Sequence, residues 1–212
     1  MADKGRLISF EGIDGSGKST QAQRLYHYLR DWEINCALFR EPGGTAFGEA
    51  VRELLLRGKG KEGEAVEFGR MAEAMLFLSA RAELMRQTIS PLLAQGCIVL
   101  LDRFTDSTLA YQGFGRGMDI EALAALNKLV THNRQPDLTF LVDLSPNKAL
   151  ARLNGTHDRI EAEGLSFLER VRDGYLELAS KESHRIVVLD GEPSEETIFE
   201  LIKLRVEKFL AG

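Results

Sequence analysis

Five short apolar runs alternate with segments of helical period, and this alternation constrains the fold more than any other feature of the sequence. The runs are Leu7–Phe10, Cys36–Phe39, Ile98–Leu101, Leu138–Val142 and Ile186–Leu189. Strands that are separated by helices pair in parallel through right-handed crossovers. We therefore expect an α/β fold with a five-stranded parallel sheet covered by helices on both faces. Ligands of such sheets bind at the carboxyl ends of the strands, so the residues that follow these ends are the first candidates for a site.

Seven segments have the apolar spacing of amphipathic helices. They extend from Lys18 to about Asp31, Ala46 to Leu56, Val66 to about Ala94, Ile120 to His132, Pro146 to Leu153, Leu165 to Lys181 and Glu195 to Leu210. Pro91 should interrupt the third segment, because proline lacks the N–H group that a helix interior uses. A chain of 212 residues with 44% hydrophobic residues can bury one core, and we expect a single domain over residues 1–212.

The composition argues against several classes of protein. The net charge is −5, whereas a broad surface for nucleic acid or for anionic membranes requires clustered Lys and Arg, so we expect neither partner. No apolar run reaches the roughly 18 residues of a transmembrane helix. Cys36 and Cys97 lie far apart in apolar surroundings, which predicts neither a disulfide framework nor a metal site. Because the first residues lack the pattern of a signal peptide, we expect a cytoplasmic protein.

The first predicted strand runs directly into a glycine-rich loop, Gly12-Ile13-Asp14-Gly15-Ser16-Gly17-Lys18-Ser19. This segment matches G-x-x-x-x-G-K-S in the strand–loop–helix context that a phosphate-binding loop requires. Glycines let backbone N–H groups surround an anion, and the positive end of the next helix adds to the attraction. An ordinary glycine-rich turn is the alternative. The complete motif favours an ATP site formed by Gly12, Ile13, Asp14, Gly15, Ser16, Gly17, Lys18, Ser19 and Thr20.

Two side chains of this loop have predicted chemical roles. Lys18 carries charge that can follow the β- and γ-phosphates into the transition state, which makes it a candidate catalytic residue. The Ser19 hydroxyl is placed to bind Mg²⁺, the predicted cofactor, which is shared with those phosphates. A GTPase would normally also carry an Asn-Lys-x-Asp element. Both Asn-Lys pairs, Asn127-Lys128 and Asn147-Lys148, lie on predicted helices without that Asp, so guanine specificity finds no support.

Two further polar segments follow the second and third predicted strands. They are Arg40-Glu41-Pro42-Gly43-Gly44-Thr45 and Asp102-Arg103-Phe104-Thr105-Asp106-Ser107-Thr108-Leu109-Ala110-Tyr111-Gln112-Gly113. Arg40 and Arg103 can form bidentate bonds with a phosphate that the glycine-rich loop does not hold, which indicates a second phosphorylated substrate. Asp102 is placed like an acidic residue that organises Mg²⁺. The alternatives are surface salt bridges for the arginines and loop or helix-cap roles for Glu41 and Asp102.

These segments resemble those of a known family. FEGIDGSGKST at Phe10–Thr20, REPGGT at Arg40–Thr45 and DRFTDSTLAYQG at Asp102–Gly113 look like three successive motifs of bacterial thymidylate kinases, in the same order. The resemblance spans nearly the whole chain, and DRIE at Asp158–Glu161 is similar to the end of the family's lid. It implies a P-loop nucleoside monophosphate kinase fold, a homodimer, and phosphoryl transfer from ATP to dTMP that yields dTDP for dTTP synthesis.

The resemblance also implies roles for individual residues around dTMP. Asp14 resembles the carboxylate that meets the deoxyribose 3′-hydroxyl. Arg40 and Arg103 resemble the pair that holds the dTMP phosphate. Phe77 resembles a phenylalanine that stacks on thymine, and Arg81, one helical turn away, resembles an arginine that donates to a base carbonyl. Without the resemblance, Phe77 would be read as a core aromatic residue of an amphipathic helix.

The remaining candidates belong to the same predicted pocket. Tyr111 resembles the tyrosine that crowds the sugar 2′ position and so disfavours ribonucleotides. The predicted substrate-binding set is completed by Glu41, Pro42, Asp102, Ser107, Thr108 and Gln112. Ser19 and Asp102 form the predicted metal site. The segment Asp190–Pro193 follows the last strand, where the family's adenine contact lies, and mostly backbone would read the base there.

A closing lid is predicted at about residues 152–163. The segment RLNGTHDRIE contains Gly155 and lies between helical stretches, as a closing loop should, although a plain connection between helices is the alternative. Family members without an arginine in the phosphate loop usually carry several lid arginines, and this loop has none. Asn154 departs from the family pattern at a position where an arginine is expected. The predicted catalytic residues are Lys18, Arg103, Arg152 and Arg159.

Two other functions fit parts of the same pattern. The chain could be a kinase of another nucleotide or of a deoxynucleoside, which a panel of substrates separates from a dTMP kinase. It could also be a regulatory NTPase that uses the loop Arg57–Glu64 to contact a partner. The missing guanine element and the arginines of the second substrate site count against the regulatory reading.

Overall fold

The computed structural model of the chain describes residues 5–58, 66–153 and 163–211. Its strands are β1 (Leu7–Glu11), β2 (Cys36–Arg40), β3 (Ile98–Asp102), β4 (Leu138–Asp143) and β5 (Ile186–Asp190). These strands form one parallel sheet in the order β2-β3-β1-β4-β5. The predicted fold class is confirmed, and each predicted strand is present.

Each strand includes one residue more at its carboxyl end than its apolar run predicts, and every one of these residues is charged. They are Glu11, Arg40, Asp102, Asp143 and Asp190. Backbone pairing does not depend on side-chain polarity, so a charged residue can end a strand while its side chain reaches a polar edge. The register places Phe10 of β1 and Arg40 of β2 opposite Asp102 of β3. The strand ends therefore meet at one charged edge.

The helices of the described residues are α1 (Lys18–Asp31), α2 (Ala46–Arg57), α3 (Arg70–Leu84), α4 (Ser90–Ala94), α5 (Thr105–Thr108), α6 (Ile120–Val130), α7 (Pro146–Arg152), α8 (Leu165–Lys181) and α9 (Glu195–Ala211). A π-helical turn at Met85–Ile89 joins α3 to α4, and another at Leu109–Gly115 continues α5. The helix predicted from Val66 begins at Arg70 and changes its winding before Pro91, which occupies the first turn of α4. A missing N–H group is tolerated in a first turn.

Helices cover both faces of the sheet. Successive residues of β1 point to opposite sides, and each side packs against helices. Leu7 belongs to a buried cluster with Leu84 of α3. Ile8 belongs to a second cluster with Leu25 of α1 and Ile202 of α9. Among the described residues, no helix combines the length and the apolarity needed to span a bilayer.

Candidate functional site

The phosphate-binding loop has the backbone conformation that its glycines predict. Gly12 and Gly15 have φ angles of 138° and 81°, in the region that favours glycine. A Cβ atom at Gly15 would lie 2.2 Å from the carbonyl oxygen of Ala149, and one at Gly12 would lie 2.5 Å from that of Val142. The loop ends where α1 begins at Lys18, so the free N–H groups of the first helical turn face the loop.

A groove lies against this loop and the start of α1. It is lined by Asp14, Gly15, Ser16, Gly17, Lys18, Ser19, Thr20, Gln21, Arg152, Leu153, Glu192, Pro193, Ser194, Glu195 and Ile198. The groove thus brings together most of the predicted ATP residues with Arg152 and the segment after β5. Gly12 and Ile13 are not among its lining residues, and the Ile13 side chain is buried in the core. Arg152 donates to the carbonyl oxygen of Gly191 at 3.0 Å.

A second cleft lies on the other side of Asp14. Its lining residues are Asp14, Glu41, Pro42, Arg52, Leu56, Phe77, Arg81, Arg103, Ser107, Thr108, Tyr111 and Gln112. Most of the residues predicted to bind the second substrate therefore lie around one space. Asp14 lines both this acceptor cleft and the ATP groove. The two spaces meet at that side chain.

Asp14 binds one cation from each space. Its Oδ1 atom accepts from Lys18 Nζ at 2.9 Å and from Arg103 Nη2 at 2.6 Å. The Tyr111 hydroxyl donates to its Oδ2 atom at 3.3 Å. Burial alone would raise the pKa of Asp14, but the charges of Arg103 and Lys18 outweigh that effect and hold the pKa well below its usual range. Asp14 is therefore ionised around neutral pH.

Arg103 points toward Asp14 from a turn in an uncommon backbone conformation. Its φ angle is 72°, a left-handed value that costs a residue other than glycine about 1–2 kcal/mol. The turn is held by the Arg103 N–H group, which donates to the Phe10 carbonyl oxygen at 2.9 Å. The guanidinium also lies 4.8 Å from the centre of the Tyr111 ring. Surrounding contacts thus maintain a conformation that the isolated turn would disfavour.

Arg81 is fully occupied by protein contacts. Its Nε atom donates to Glu41 Oε2 at 2.7 Å, and its Nη2 atom lies 2.6 Å from the same oxygen. Further bonds run to Thr108 Oγ1 at 2.7 Å, to Asn127 Oδ1 at 2.6 Å and to the Phe104 carbonyl oxygen at 2.9 Å. The side chain lines the acceptor cleft, yet only 2% of it is exposed. Its predicted bond to a base carbonyl stays a prediction.

Glu41, the carboxylate partner of Arg81, keeps one oxygen unsatisfied. Its Oε1 atom is buried and has no hydrogen-bond partner among the described residues. Burial raises the pKa of Glu41, and the charge of Arg81 opposes that rise. The unpaired oxygen can accept a further hydrogen bond, which suits a residue that lines a binding cleft.

Like Gly12 and Ile13, the predicted site residues Arg40 and Asp102 line neither of the two spaces. Arg40 is 57% exposed, has its nearest carboxylate partner, Glu49, at 3.6 Å, and does not line the acceptor cleft. Asp102 lines neither space, and its buried Oδ1 atom has no hydrogen-bond partner among the described residues. Arg159, together with residues 154–162 of the predicted lid, lies outside the described residues. The roles of Arg40, Asp102 and Arg159 stay predictions.

The structure adds residues that the sequence reading missed. Arg52 and Leu56 of α2 line the acceptor cleft, and Arg52 donates to the Pro42 carbonyl oxygen at 3.0 Å. Arg52 and Leu56 are four residues apart and so lie on one face of the helix that follows the REPGGT segment, which is the signal that could have found them. Glu11 and Tyr175 form a buried polar contact beside Arg103. Tyr175 gives no sequence signal, because it lies in the apolar stripe of α8.

Comparison with known proteins gives consistent matches over most of the chain. The family model described as thymidylate kinase matches residues 10–202. A thymidylate kinase of Kosmotoga olearia is 44% identical over 206 residues, which cover 96% of this chain and 95% of the relative. One of Chlorobaculum parvum is 44% identical over 196 residues, which cover 87% and 88%. The crystal structure of thymidylate kinase from Ehrlichia chaffeensis superimposes with a TM-score of 0.76 at 36% identity and covers 97% of this chain and 98% of its own.

Proposed function

This chain belongs to the thymidylate kinase family, and from that premise we propose that it transfers the γ-phosphoryl group of ATP to dTMP. The products are ADP and dTDP, and the reaction is a step toward dTTP. The observation that carries the proposal is the meeting of two clefts at Asp14, where Lys18 of the phosphate loop and Arg103 of the acceptor cleft bind the same carboxylate. A donor and an acceptor phosphate drawn to those two cations would face each other.

The residues around that meeting point can supply what phosphoryl transfer needs. The acceptor is a phosphate oxygen that is largely ionised near neutral pH, so positioning and charge neutralisation matter more than a general base. Arg103 orients the dTMP phosphate, and Lys18 follows the transferring group. Arg152, at the edge of the ATP groove, adds positive charge and helps to exclude water. Phe77 stacks on the base within the acceptor cleft.

The site also suits Mg²⁺. The Ser19 hydroxyl lies exposed at the ATP groove, and Asp102 holds a buried oxygen that lacks a hydrogen-bond partner among the described residues. Hydroxyl and carboxylate oxygens are ligands that Mg²⁺ prefers, and the ion usually completes its shell with phosphates and water. When bound, it neutralises charge on the β- and γ-phosphates. Activity should disappear with excess EDTA and return with added Mg²⁺.

We also propose a homodimer in the cytoplasm. The proposal of a dimer rests on the family resemblance, and exposed apolar side chains on α2 and α3 are compatible with it: Phe47, Met71 and Met75 are 48%, 55% and 44% exposed. Light scattering coupled to gel filtration would give the mass in solution. A mass of one chain, near 23.6 kDa, would overturn the proposal.

The decisive experiment is ADP release with ATP and, in separate reactions, dTMP, dUMP, dCMP, AMP and GMP. We expect the highest kcat/KM with dTMP. A higher value with another nucleotide would assign the chain to a different kinase. ADP release that does not depend on any of these acceptors would instead indicate an NTPase.

A further inference from the structure

A cluster of three oxygen atoms, from Glu11, Ser107 and Tyr175, contacts Arg103 and the turn that carries it. Glu11 Oε2 accepts from the Ser107 hydroxyl at 2.6 Å and from the Tyr175 hydroxyl at 3.0 Å. The two hydroxyl oxygens are themselves 2.8 Å apart. All three side chains are buried. This triangle joins the end of β1 to α5 and to α8.

The triangle contacts Arg103 in two ways. Arg103 Nη1 donates to Ser107 Oγ at 3.2 Å and to the Tyr175 hydroxyl oxygen at 3.3 Å. Glu11 Oε1 accepts from the backbone N–H group of Phe104 at 2.7 Å and so anchors the left-handed turn that carries Arg103. One carboxylate therefore fixes the backbone of the turn and, through two hydroxyls, the Nη1 atom of the guanidinium.

Comparison with the neighbouring carboxylate of Asp106 shows that Glu11 does not form an ordinary buried ion pair. Asp106 binds both Nη atoms of Arg185 at 2.8 Å, the fork geometry of a structural pair. Glu11 bonds instead to hydroxyls and a backbone N–H group. A buried carboxylate without a directly bonded cation is a costly way to stabilise a core. Its arrangement is better suited to orienting the groups that it touches.

We propose that Glu11 and Tyr175 are positioning residues that aim the Arg103 guanidinium at the acceptor phosphate. This inference rests on the proposed function, in which Arg103 holds the dTMP phosphate. Neither residue lines either cleft, so they act through Arg103 and not by contact with a nucleotide.

The first test measures kcat and KM for both substrates in Tyr175→Phe and Glu11→Gln. Tyr175→Phe keeps the ring and removes one hydroxyl, so it is the variant that retains the fold if Glu11→Gln does not. We expect kcat/KM for dTMP to fall by roughly three- to tenfold, the range of one net hydrogen bond. KM for ATP should stay within about twofold, since the ATP groove is untouched. Tyr28→Phe is the matched control, because it removes a surface hydroxyl that donates to Glu207.

The second test is a double-mutant cycle with Arg103→Lys, which keeps the charge but lacks the guanidinium fork. If Tyr175 acts through Arg103, Tyr175→Phe should change kcat/KM for dTMP by less than about twofold in the Arg103→Lys background. Full additivity of the two substitutions, or equal losses of kcat/KM for dTMP and for ATP, would mean that Tyr175 has only a structural role and would overturn the inference. Wild-type protein in the same assay separates the two claims: without dTMP-dependent turnover the proposed function falls together with this inference, whereas wild-type turnover with an additive cycle removes the inference alone.

Discussion

The ATP groove and the acceptor cleft are built in different ways. Much of the groove comes from one continuous stretch, Asp14 to Gln21, whose shape is set by local glycines and a helix start. The acceptor cleft gathers residues from the ends of β1 and β2, from α2 and α3, and from the segment after β3. Several of its side chains, Arg81 and Glu41 above all, are also bonded deep in the protein. In the groove, the residues predicted to bind ligand are thus largely distinct from those that stabilise the core. In the cleft, the same side chains would do both.

The largest expected effect tests the groove side of this contrast. Lys18→Ala should lower kcat by at least about 100- to 1000-fold, because it removes a charge that acts on the transferring phosphoryl group. The melting temperature should change little, since Asp14, to which Lys18 bonds at the site, keeps Arg103 as its cation. Lys181→Ala, which removes a surface pair with Glu177, is the control. Activity within tenfold of the wild type would exclude the phosphate-loop role.

The next effect tests the cleft side. Arg81→Ala should lower the free energy of unfolding by about 3–5 kcal/mol, because it leaves Glu41 buried without its cation. Arg86→Ala removes an exposed pair with Glu83 further along the same helical segment and should cost much less, because exposed pairs contribute little to stability. Urea unfolding of both variants measures the difference. Equal losses of unfolding free energy in the two variants would show that the buried Arg81–Glu41 pair stabilises the protein no more than the exposed pair does.

A smaller effect concerns pH and Glu11. Burial, with the charge of Asp106, raises the pKa of Glu11 from 4.5 to about 7, against the opposing effects of Ser107, Arg103 and the Phe104 N–H group. The folded protein therefore binds an extra proton between these values, and Glu11 reduces stability as the pH rises from about 4.5 through about 7.

In Glu11→Gln this trend should be absent. The free energy of unfolding of the variant relative to the wild type should rise between pH 5 and pH 8 by up to about 3 kcal/mol. The lowered pKa of Asp14 makes stability rise with pH instead, but only below about pH 4, which is outside this range. Parallel curves of unfolding free energy against pH for the two proteins, from pH 5 to pH 8, would contradict the raised pKa of Glu11.

The smallest effect separates recognition from packing at Tyr111. Tyr111→Ala should narrow the ratio of kcat/KM between dTMP and its ribonucleotide counterpart by about tenfold, since an apolar pocket alone rejects an added hydroxyl only weakly. Tyr111→Phe keeps the ring and should keep most of the ratio, while it loses the bonds to Asp14 and Arg103 and so lowers both rates. An unchanged ratio in Tyr111→Ala would place the sugar gate elsewhere.

Most of the fold could be predicted because it depends on local patterns. The five apolar runs became the five strands, and α1 and α8 have the predicted bounds. The phosphate loop was predictable for the same reason, since its glycines and Lys18 are adjacent in sequence. The helical segment from Thr105 to Gly115 was missed because polar residues and a π-helical turn obscure the 3.6-residue period.

The acceptor cleft could be predicted only in part, because its geometry depends on tertiary contacts. Arg40 and Arg103 look equivalent in sequence, yet Arg40 is exposed and Arg103 is partly buried beside Asp14. The bonds that saturate Arg81 come from three distant segments, which no spacing rule connects. Tyr175 matches the apolar period of its helix, and its hydroxyl gains a role only when α8 packs behind β1.

Asp14 lets the two clefts share one counter-ion. An ATP phosphate that attracts Lys18 leaves Arg103 as the remaining cation on this carboxylate, and a dTMP phosphate that attracts Arg103 does the converse. If Lys18 and Arg103 have these proposed roles, occupancy of one cleft changes the electrostatic free energy of binding at the other, and thermodynamic linkage makes that change equal in both directions. We therefore expect the two substrates to influence each other's affinity through this single side chain.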